Sequence, residues 1–327
     1  MTPRAARPRP SGTGPVVCLG ETMAAMAPEP VGALDSAGLL RVDVAGAESN
    51  VAVYLADHGI PVRWVSALGD DPFGRLVKRH VAAGGVDVDG VRTDPRHPTG
   101  LLFKDPGPGS TRVHYYRGNS AAAALGPALL ADDALRGARL LHLTGITPAL
   151  SPSCHALVEQ ALAADRPWPV SFDVNHRPAL WTGAPEPAGD VLRTLADRAD
   201  LVFVGLDEAR ALWGAGLTPD GVRGLLPHPR TLVVKDADRA ATAYTPAGRH
   251  TVPAPRVDVV EPVGAGDAFA AGYLAGVLRG DDPVRALRRG HLTAASALRV
   301  TGDHGTLPPP DTTARLLAAD PATWTTH

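Results

Sequence analysis

The chain of 327 residues carries 32 Lys and Arg against 34 Asp and Glu, a net charge of -2, with 44% hydrophobic and 20% charged residues. That balance excludes a basic nucleic-acid binder and a polybasic membrane-surface protein, and no apolar run reaches the roughly 18 residues a membrane span needs. The length suits one large α/β domain or a domain with an appendage. Cys18 and Cys154 lack metal-ligand spacing and read as buried free thiols in a reducing compartment, the cytoplasm.

Residues 1–14, rich in Arg and Pro without an apolar segment, read as a disordered tail rather than a secretory signal. The apolar run at 16–19, closed by Gly20, reads as a buried first strand. Residues 31–44 are mixed and punctuated by glycine, as short strands outside a main sheet would be. Beyond Gly46, Val51, Tyr54, Leu55 and His58 share one face of a helix over 47–58, stopped by Gly59 and Pro61. Residues 62–68 read as a strand, and Asp71 with Pro72 opens a helix over 73–83. Residues 99–104 and 112–116 form a hairpin around Gly107-Pro108-Gly109; with 31–44 they would make a small separate sheet. Compact apolar runs at 140–143, 170–173, 201–204 and 231–234 alternate with helical stretches at 153–164, 188–198 and 207–212. That alternation means a parallel sheet covered on both faces, with its active site beyond the carboxyl ends of the strands. Residues 240–244 and 249–253 suggest an antiparallel hairpin at one edge. An extended segment over 251–259 leads to the glycine turn at 264–266, and a helix over 283–300 follows.

The turn is the stretch around which the chain is organised: Val263-Gly264-Ala265-Gly266-Asp267-Ala268-Phe269, opening a helix to about residue 278. Gly264 and Gly266 can take backbone conformations closed to other residues and bring bare N–H groups close to a ligand. N–H groups at a helix N-terminus bind anions, and Asp267 stands in the first turn beside them. A carboxylate so placed suits phosphoryl transfer, which needs a base for the attacking hydroxyl. The same residues would also serve as a plain turn with a first-turn acid. The stripe of Ala268, Ala271, Gly272, Ala275 and Gly276 argues for more, since it lets a neighbouring helix approach closely and hold the N-terminus rigid. The sequence has no P-loop, no G-x-G-x-x-G after the first strand and no H-E-x-x-H.

Two signatures together resemble the PfkB, or ribokinase-like, carbohydrate kinases. One is Gly46-Ala47-Glu48-Ser49-Asn50-Val51-Ala52 with Leu68-Gly69-Asp70-Asp71 downstream; the other is Gly264-Ala265-Gly266-Asp267-Ala268-Phe269. Tyr115-Tyr116-Arg117, the stretch from Asp173 through Asn175 and Arg177 to Trp181, and Asp207-Glu208-Ala209 are similar to the branch of 2-keto-3-deoxygluconate kinases, though fructokinases share parts of them. The resemblance implies a ribokinase-like α/β domain over 15–310, with a mostly parallel sheet flanked by helices and a lid of strands from about 22–44 and 99–117. A C-terminal helix and tail would occupy 311–327.

The activity implied is magnesium-dependent transfer of the γ-phosphoryl of ATP to a sugar or sugar-acid hydroxyl. Asp267 matches the base, and Gly264, Ala265 and Gly266 the anion hole. Gly46 and Asn50 match sugar-contacting positions. Tyr115, Arg117, Asn175 and Arg177 match those holding the substrate's polar and carboxylate end, a task suited to the planar fork of arginine. On the residues alone, the alternatives are an exposed hairpin arginine for Arg117 and an ion pair with Asp173 for Arg177. Lys235, Arg239, Gly264, Gly266 and Gly302 are the nucleotide-binding candidates, and Glu208 a magnesium residue acting through water. Family lids often pair, which implies a homodimer.

Three departures stand out. Glu261-Pro262-Val263 replaces the Asp-Thr-Thr that helps hold a monovalent cation in some members, so the resemblance does not carry potassium activation to this chain. Gly205-Leu206-Asp207-Glu208 keeps only the Glu of Asn-x-x-Glu. Lys235-Asp236-Ala237-Asp238-Arg239-Ala240 lacks the glycines relatives place near the phosphates. That loop keeps open a sugar-sensing protein with little turnover, beside a kinase for ketodeoxygluconate or for fructose and other ketoses.

Overall fold

The computed structural model describes residues 13–107 and 110–325. All but the last two residues of the expected tail at 1–14, and the hairpin tip at Pro108 and Gly109, lie outside the described residues.

Thirteen strands are formed among the described residues: β1 Val16–Leu19, β2 Met23–Pro28, β3 Leu40–Ala45, β4 Val62–Gly69, β5 Val91–Asp94, β6 Leu101–Gly107, β7 Ser110–Tyr116, β8 Leu140–Thr144, β9 Val170–Asp173, β10 Leu201–Gly205, β11 Thr231–Asp236, β12 Ala240–Thr245 and β13 Gly248–Pro253. Nine make the central sheet in the order β13-β12-β11-β10-β9-β8-β1-β4-β5. From β11 to β5 every pairing is parallel, and β12 and β13 add the antiparallel edge. The helices are α1 Ala47–Asp57, α2 Pro72–Ala83, α3 Thr147–Leu150, α4 Pro152–Ala161, α5 Ala188–Arg198, α6 Leu206–Trp213, α7 Pro219–Leu225, α8 Ala265–Arg279, α9 Pro283–Leu298, α10 Pro310–Ala318 and α11 Pro321–Thr325. One core cluster joins α1, α8 and α9 to one face of the sheet, and a second joins α4 and α5 to the other. Strands buried on both faces read as continuous apolar runs, which is why 140–143 and 201–204 were visible in the sequence.

The stripe on α8 acts as its composition implies. A Cβ on Gly272 would stand 2.4 Å from the Thr293 hydroxyl and 2.6 Å from the Arg289 carbonyl of α9. Only a residue without a side chain allows that approach.

The second sheet has the order β3-β2-β6-β7 and lies apart from the first. Its strands lie within about 22–44 and 99–117, but the short strands read over 31–44 reduce to the one that starts at Leu40. Residues 31–39 are irregular apart from one 3-10 turn at Leu34–Ser36, and the strand before β3 is β2, whose Met23 and Ala25 pack in a small cluster with Ala45 and Leu102. The extended segment expected over 251–259 stops at Pro253. Both cysteines are free and buried. No helix among the described residues is long and apolar enough to cross a membrane.

Candidate active site

The carboxyl ends of β9, β10 and β11 meet the N-terminus of α8. Asn175, just past β9, bonds Asp267. Gly205 and Lys235 line a cavity with Gly266, and Lys104 of the second sheet reaches Asp303, which lies against Gly264. Gly264 is the N-cap of α8, in the left-handed region at φ +82°, and a Cβ there would lie 3.0–3.3 Å from Asp303. Strain and crowding together make this position one for glycine. Gly266 lies inside α8, and a Cβ there would meet only the Lys235 ammonium, at 3.5 Å. Its small size opens the approach to the N–H groups; contrary to the sequence expectation, its backbone conformation does not require glycine.

Asp267 follows, 7% exposed. Its carboxylate accepts from Asn50 Nδ2 at 2.9 Å and from Asn175 Nδ2 at 3.2 Å. Both partners are neutral amides, and the two bonds hold the acid in one orientation. Burial pushes its pKa up to about 7; the Asn50 bond and the Arg177 charge oppose the rise, Asp173 adds to it and Lys235 opposes it. A carboxylate poised near neutral pH is suited to accept a proton.

Two cavities lie beside residues that touch Asp267: Gly266, which precedes it, lines one, and its partner Asn50 lines the other. The first, of about 470 Å³, is lined by Ala265, Gly266, Lys235 and Glu208 together with the apolar Val257, Phe269 and Leu298. The second, about 140 Å³, is lined by Asn50, Ser49, Asp43, Gly302, Asp303 and His304 among others.

Lys235 Nζ lies 2.8 Å from Asp173 Oδ2. Burial lowers the ammonium's pKa, but Asp173, with Glu208 and Asp267, outweighs it and the net shift is upward. Because Lys235 takes Asp173, the pair of Arg177 with Asp173 does not form: Arg177 is exposed, and its Nη1 donates to the His176 carbonyl at 3.3 Å. Glu208 is not a solvated helix acid. It accepts from the His176 N–H and, at 3.1 Å, from Gly205 N, tying the start of α6 to the loop after β9. Burial and then the Asp173 charge raise its pKa.

Other sequence candidates fall elsewhere. Arg239 is exposed and turned onto Asp236, with Nε 2.9 Å from Oδ2; Ala237 and Asp238 of that turn line the larger cavity instead. Gly302 lines the smaller cavity beside Asn50, away from the larger one. Gly46 caps α1, and a Cβ there would meet Thr22 and the Glu21 carbonyl. Arg117 is not an exposed hairpin arginine: its Nε is 2.6 Å from Glu21 Oε2, Nη2 bonds the same oxygen, and its side chain is 8% exposed. Tyr115 lies under the guanidinium, its ring centre 5.5 Å away.

Sequence reasoning missed Glu21, Lys104 and Asp303. Lys104 reaches from β6 to Asp303 at 3.4 Å, and Asp303 accepts from Asn50 at 3.3 Å, so a polar chain runs from the small sheet to Asp267. Glu21 could have been found from its place at the carboxyl end of β1. Asp303, 253 residues from its Asn50 partner, carried no local signal.

A doubly covered, mostly parallel sheet whose strand ends meet a helix-capping glycine turn, beside a separate four-stranded sheet, is the architecture of a ribokinase-like sugar kinase. The chain belongs to the pfkB family of carbohydrate kinases, whose family model matches residues 14–309. It is 36% identical over 315 residues to the 2-dehydro-3-deoxygluconokinase of Bacillus subtilis, covering 93% of this chain and 95% of that one. Among solved structures it is similar to a PfkB protein from Polaromonas, with a TM-score of 0.80 and 36% identity over 94% of this chain and all of that one. It is also similar to a fructokinase with bound ATP from Xylella fastidiosa, with a TM-score of 0.77 and 28% identity over 89% and 94% of the two chains.

Proposed function

We infer that this sugar kinase uses ATP and magnesium to phosphorylate a hydroxyl of 2-keto-3-deoxygluconate, the sugar acid also called 2-dehydro-3-deoxygluconate. The observation that carries the reading is Asp267, buried, oriented by two amides and raised to about 7, directly after an anion-binding helix cap. The Bacillus subtilis relative supports the substrate class, and the ATP-bound fructokinase supports the donor.

The larger cavity fits a nucleotide. Its apolar lining would take a base, and Ala265, Gly266 and Lys235 would meet the phosphate oxygens. For magnesium, Asn175 Oδ1 is buried without a partner. Glu208 has lone pairs left for water. No three acidic, His or Cys side chains converge as ligands among the described residues. That suits an ion held largely by phosphate and water, with Asn175 and Glu208 steadying its shell. Bound ATP supplies the phosphoryl group, and magnesium neutralises part of its charge.

The protein's own part is positional and electrostatic. Asn50 and Asn175 hold Asp267 so that one carboxylate oxygen takes the proton of the attacking hydroxyl. The N–H groups at the start of α8 steady the charge on the transferring group, and Lys235 adds a cation within reach of Gly266. Arg177 meets the acid end of the sugar, and Arg117, paired with Glu21, its polar groups. The small sheet excludes water, which would otherwise compete as acceptor.

A second reading, a ketose kinase, is favoured by the ion pair that neutralises Arg117. Coupled ADP release on 2-keto-3-deoxygluconate, its galactose-series epimer and fructose separates the two. The ketodeoxy acids should give kcat/KM at least about tenfold above fructose, the worth of roughly 1.4 kcal/mol of selective binding; a preference for fructose would overturn the sugar-acid reading.

A further inference from the structure

We propose that Glu21 is a positioning residue for the sugar site: it fixes the Arg117 guanidinium by two of its nitrogens and cancels its charge, leaving Arg177 to read the substrate's negative charge. This rests on the placement of the sugar beside Arg117 and Arg177 given above.

Glu21 leaves the end of β1 with a side chain 1% exposed. Its Oε2 takes both Nε and Nη2 of Arg117. Its Oε1 accepts from Ser120 Oγ at 2.5 Å. Gly100 closes over it, since a Cβ there would stand 2.7 Å from Oε1. The carboxylate therefore has one position, and it sets the plane of Arg117 above the Tyr115 ring. Glu48, the other acid that acts on this region, is buried between Thr144 and Thr147, at 2.7 and 2.9 Å, and burial pushes its carboxyl up. Among the described residues, Glu21 is thus the acid paired with Arg117.

The consequence concerns how the acid end is read. An arginine grips a carboxylate best with two parallel N–H groups. Nε and one N–H of Nη2 are taken, so Arg117 offers a ligand the end-on N–H groups of Nη1 and Nη2, directional donors on a group whose charge Glu21 already neutralises. Arg177 has no acidic partner among the described residues, and its charge already acts on Asp267. Preference for acidic over neutral sugars then lies in Arg177. The Glu21–Arg117 unit sets affinity for both kinds of sugar through geometry.

The test compares Glu21→Asp, Glu21→Gln and each in an Arg117→Lys background, with KM and kcat for 2-keto-3-deoxygluconate and for fructose, and Tm for every protein. Glu21→Asp, one methylene too short, should raise KM for both sugars about tenfold, the size of one charge-assisted hydrogen bond lost, with kcat within about twofold. Glu21→Gln keeps the length and the acceptor and should recover part of the affinity. In the Arg117→Lys background Glu21→Asp should change KM less than about twofold, as expected when two residues act as one unit. An equal effect in both backgrounds, a loss in kcat with KM unchanged, or no effect would overturn the proposal. If Glu21→Asp fails to fold, the same cycle with Glu21→Gln decides. Failure of the sugar-acid reading shows differently, as a wild-type enzyme that turns over fructose and not the ketodeoxy acid.

Discussion

Replacing Asn50 by Ala removes the 2.9 Å bond that favours the charged form of Asp267. A hydrogen bond to a charged group contributes roughly 1.5–3 kcal/mol, and one pH unit corresponds to roughly 1.4 kcal/mol. Water entering the vacated space would return part of that, so the Asp267 pKa should rise by about one unit from its position of about 7. The base is active when deprotonated, so the acid limb of kcat/KM should move up by the same amount. Loss of sugar affinity would lower the whole profile without moving the limb, which separates Asn50 as a ligand contact from Asn50 as a tuner of the base. The assay is coupled ADP release over about pH 5.5–9.5, read as the free-enzyme profile. A limb that stays in place, or moves down, would refute the reasoning that Asn50 holds Asp267 charged.

Arg177→Ala should raise KM for 2-keto-3-deoxygluconate at least about tenfold and leave fructose nearly unchanged; equal losses on both sugars would argue against a carboxylate role. Asp267→Asn should stabilise the unliganded protein more at pH 8 than at pH 5. The raised folded-state pKa of about 7 against an ordinary value of 3.8 makes stability highest below 3.8 and reduces it as pH rises through 7. Between pH 5 and pH 8 the loss spans the two units from 5 to 7, about 3 kcal/mol at roughly 1.4 kcal/mol per unit and an upper bound on the difference in gain, and thermal melts at the two pH values measure it. Ala237 takes φ +46° in the β11–β12 turn, so Ala237→Gly should raise stability by about 0.5–1 kcal/mol, the left-handed strain relieved less the added chain entropy. A chemical denaturation curve with a lower midpoint would contradict that.

Local chemistry made much of this fold legible. Asp71 with Pro72 does cap α2, the side chain accepting from Gly74 N at 2.7 Å, and the small residues of α8 meet α9 as their spacing implied. What the sequence hid was set by partners far along the chain. The alternative of an exposed Arg117 stayed open because its partner Glu21 is 96 residues away, and that of an Arg177–Asp173 pair because Lys235, the cation Asp173 takes, is 62 residues on. Within the lid span of about 22–44 the strands fall at Met23–Pro28 and Leu40–Ala45, so of the short strands read over 31–44 only the one from Leu40 forms; β2, with Met23 and Ala25 facing a small cluster, has no β-branched residue to mark it. Arg239 reads as a phosphate ligand in sequence, yet the turn brings it back three residues onto Asp236.

The central claim is that Asp267 takes the proton of a sugar hydroxyl while the N–H groups before it hold the transferring phosphate. It is tested most directly by single-turnover phosphorylation of 2-keto-3-deoxygluconate by Asp267→Asn, with sugar and nucleotide binding measured on the same protein. Turnover should fall at least about 100-fold, the low end for a lost general base, with both affinities within a few-fold of the wild type. Near-normal turnover in that variant would contradict the claim.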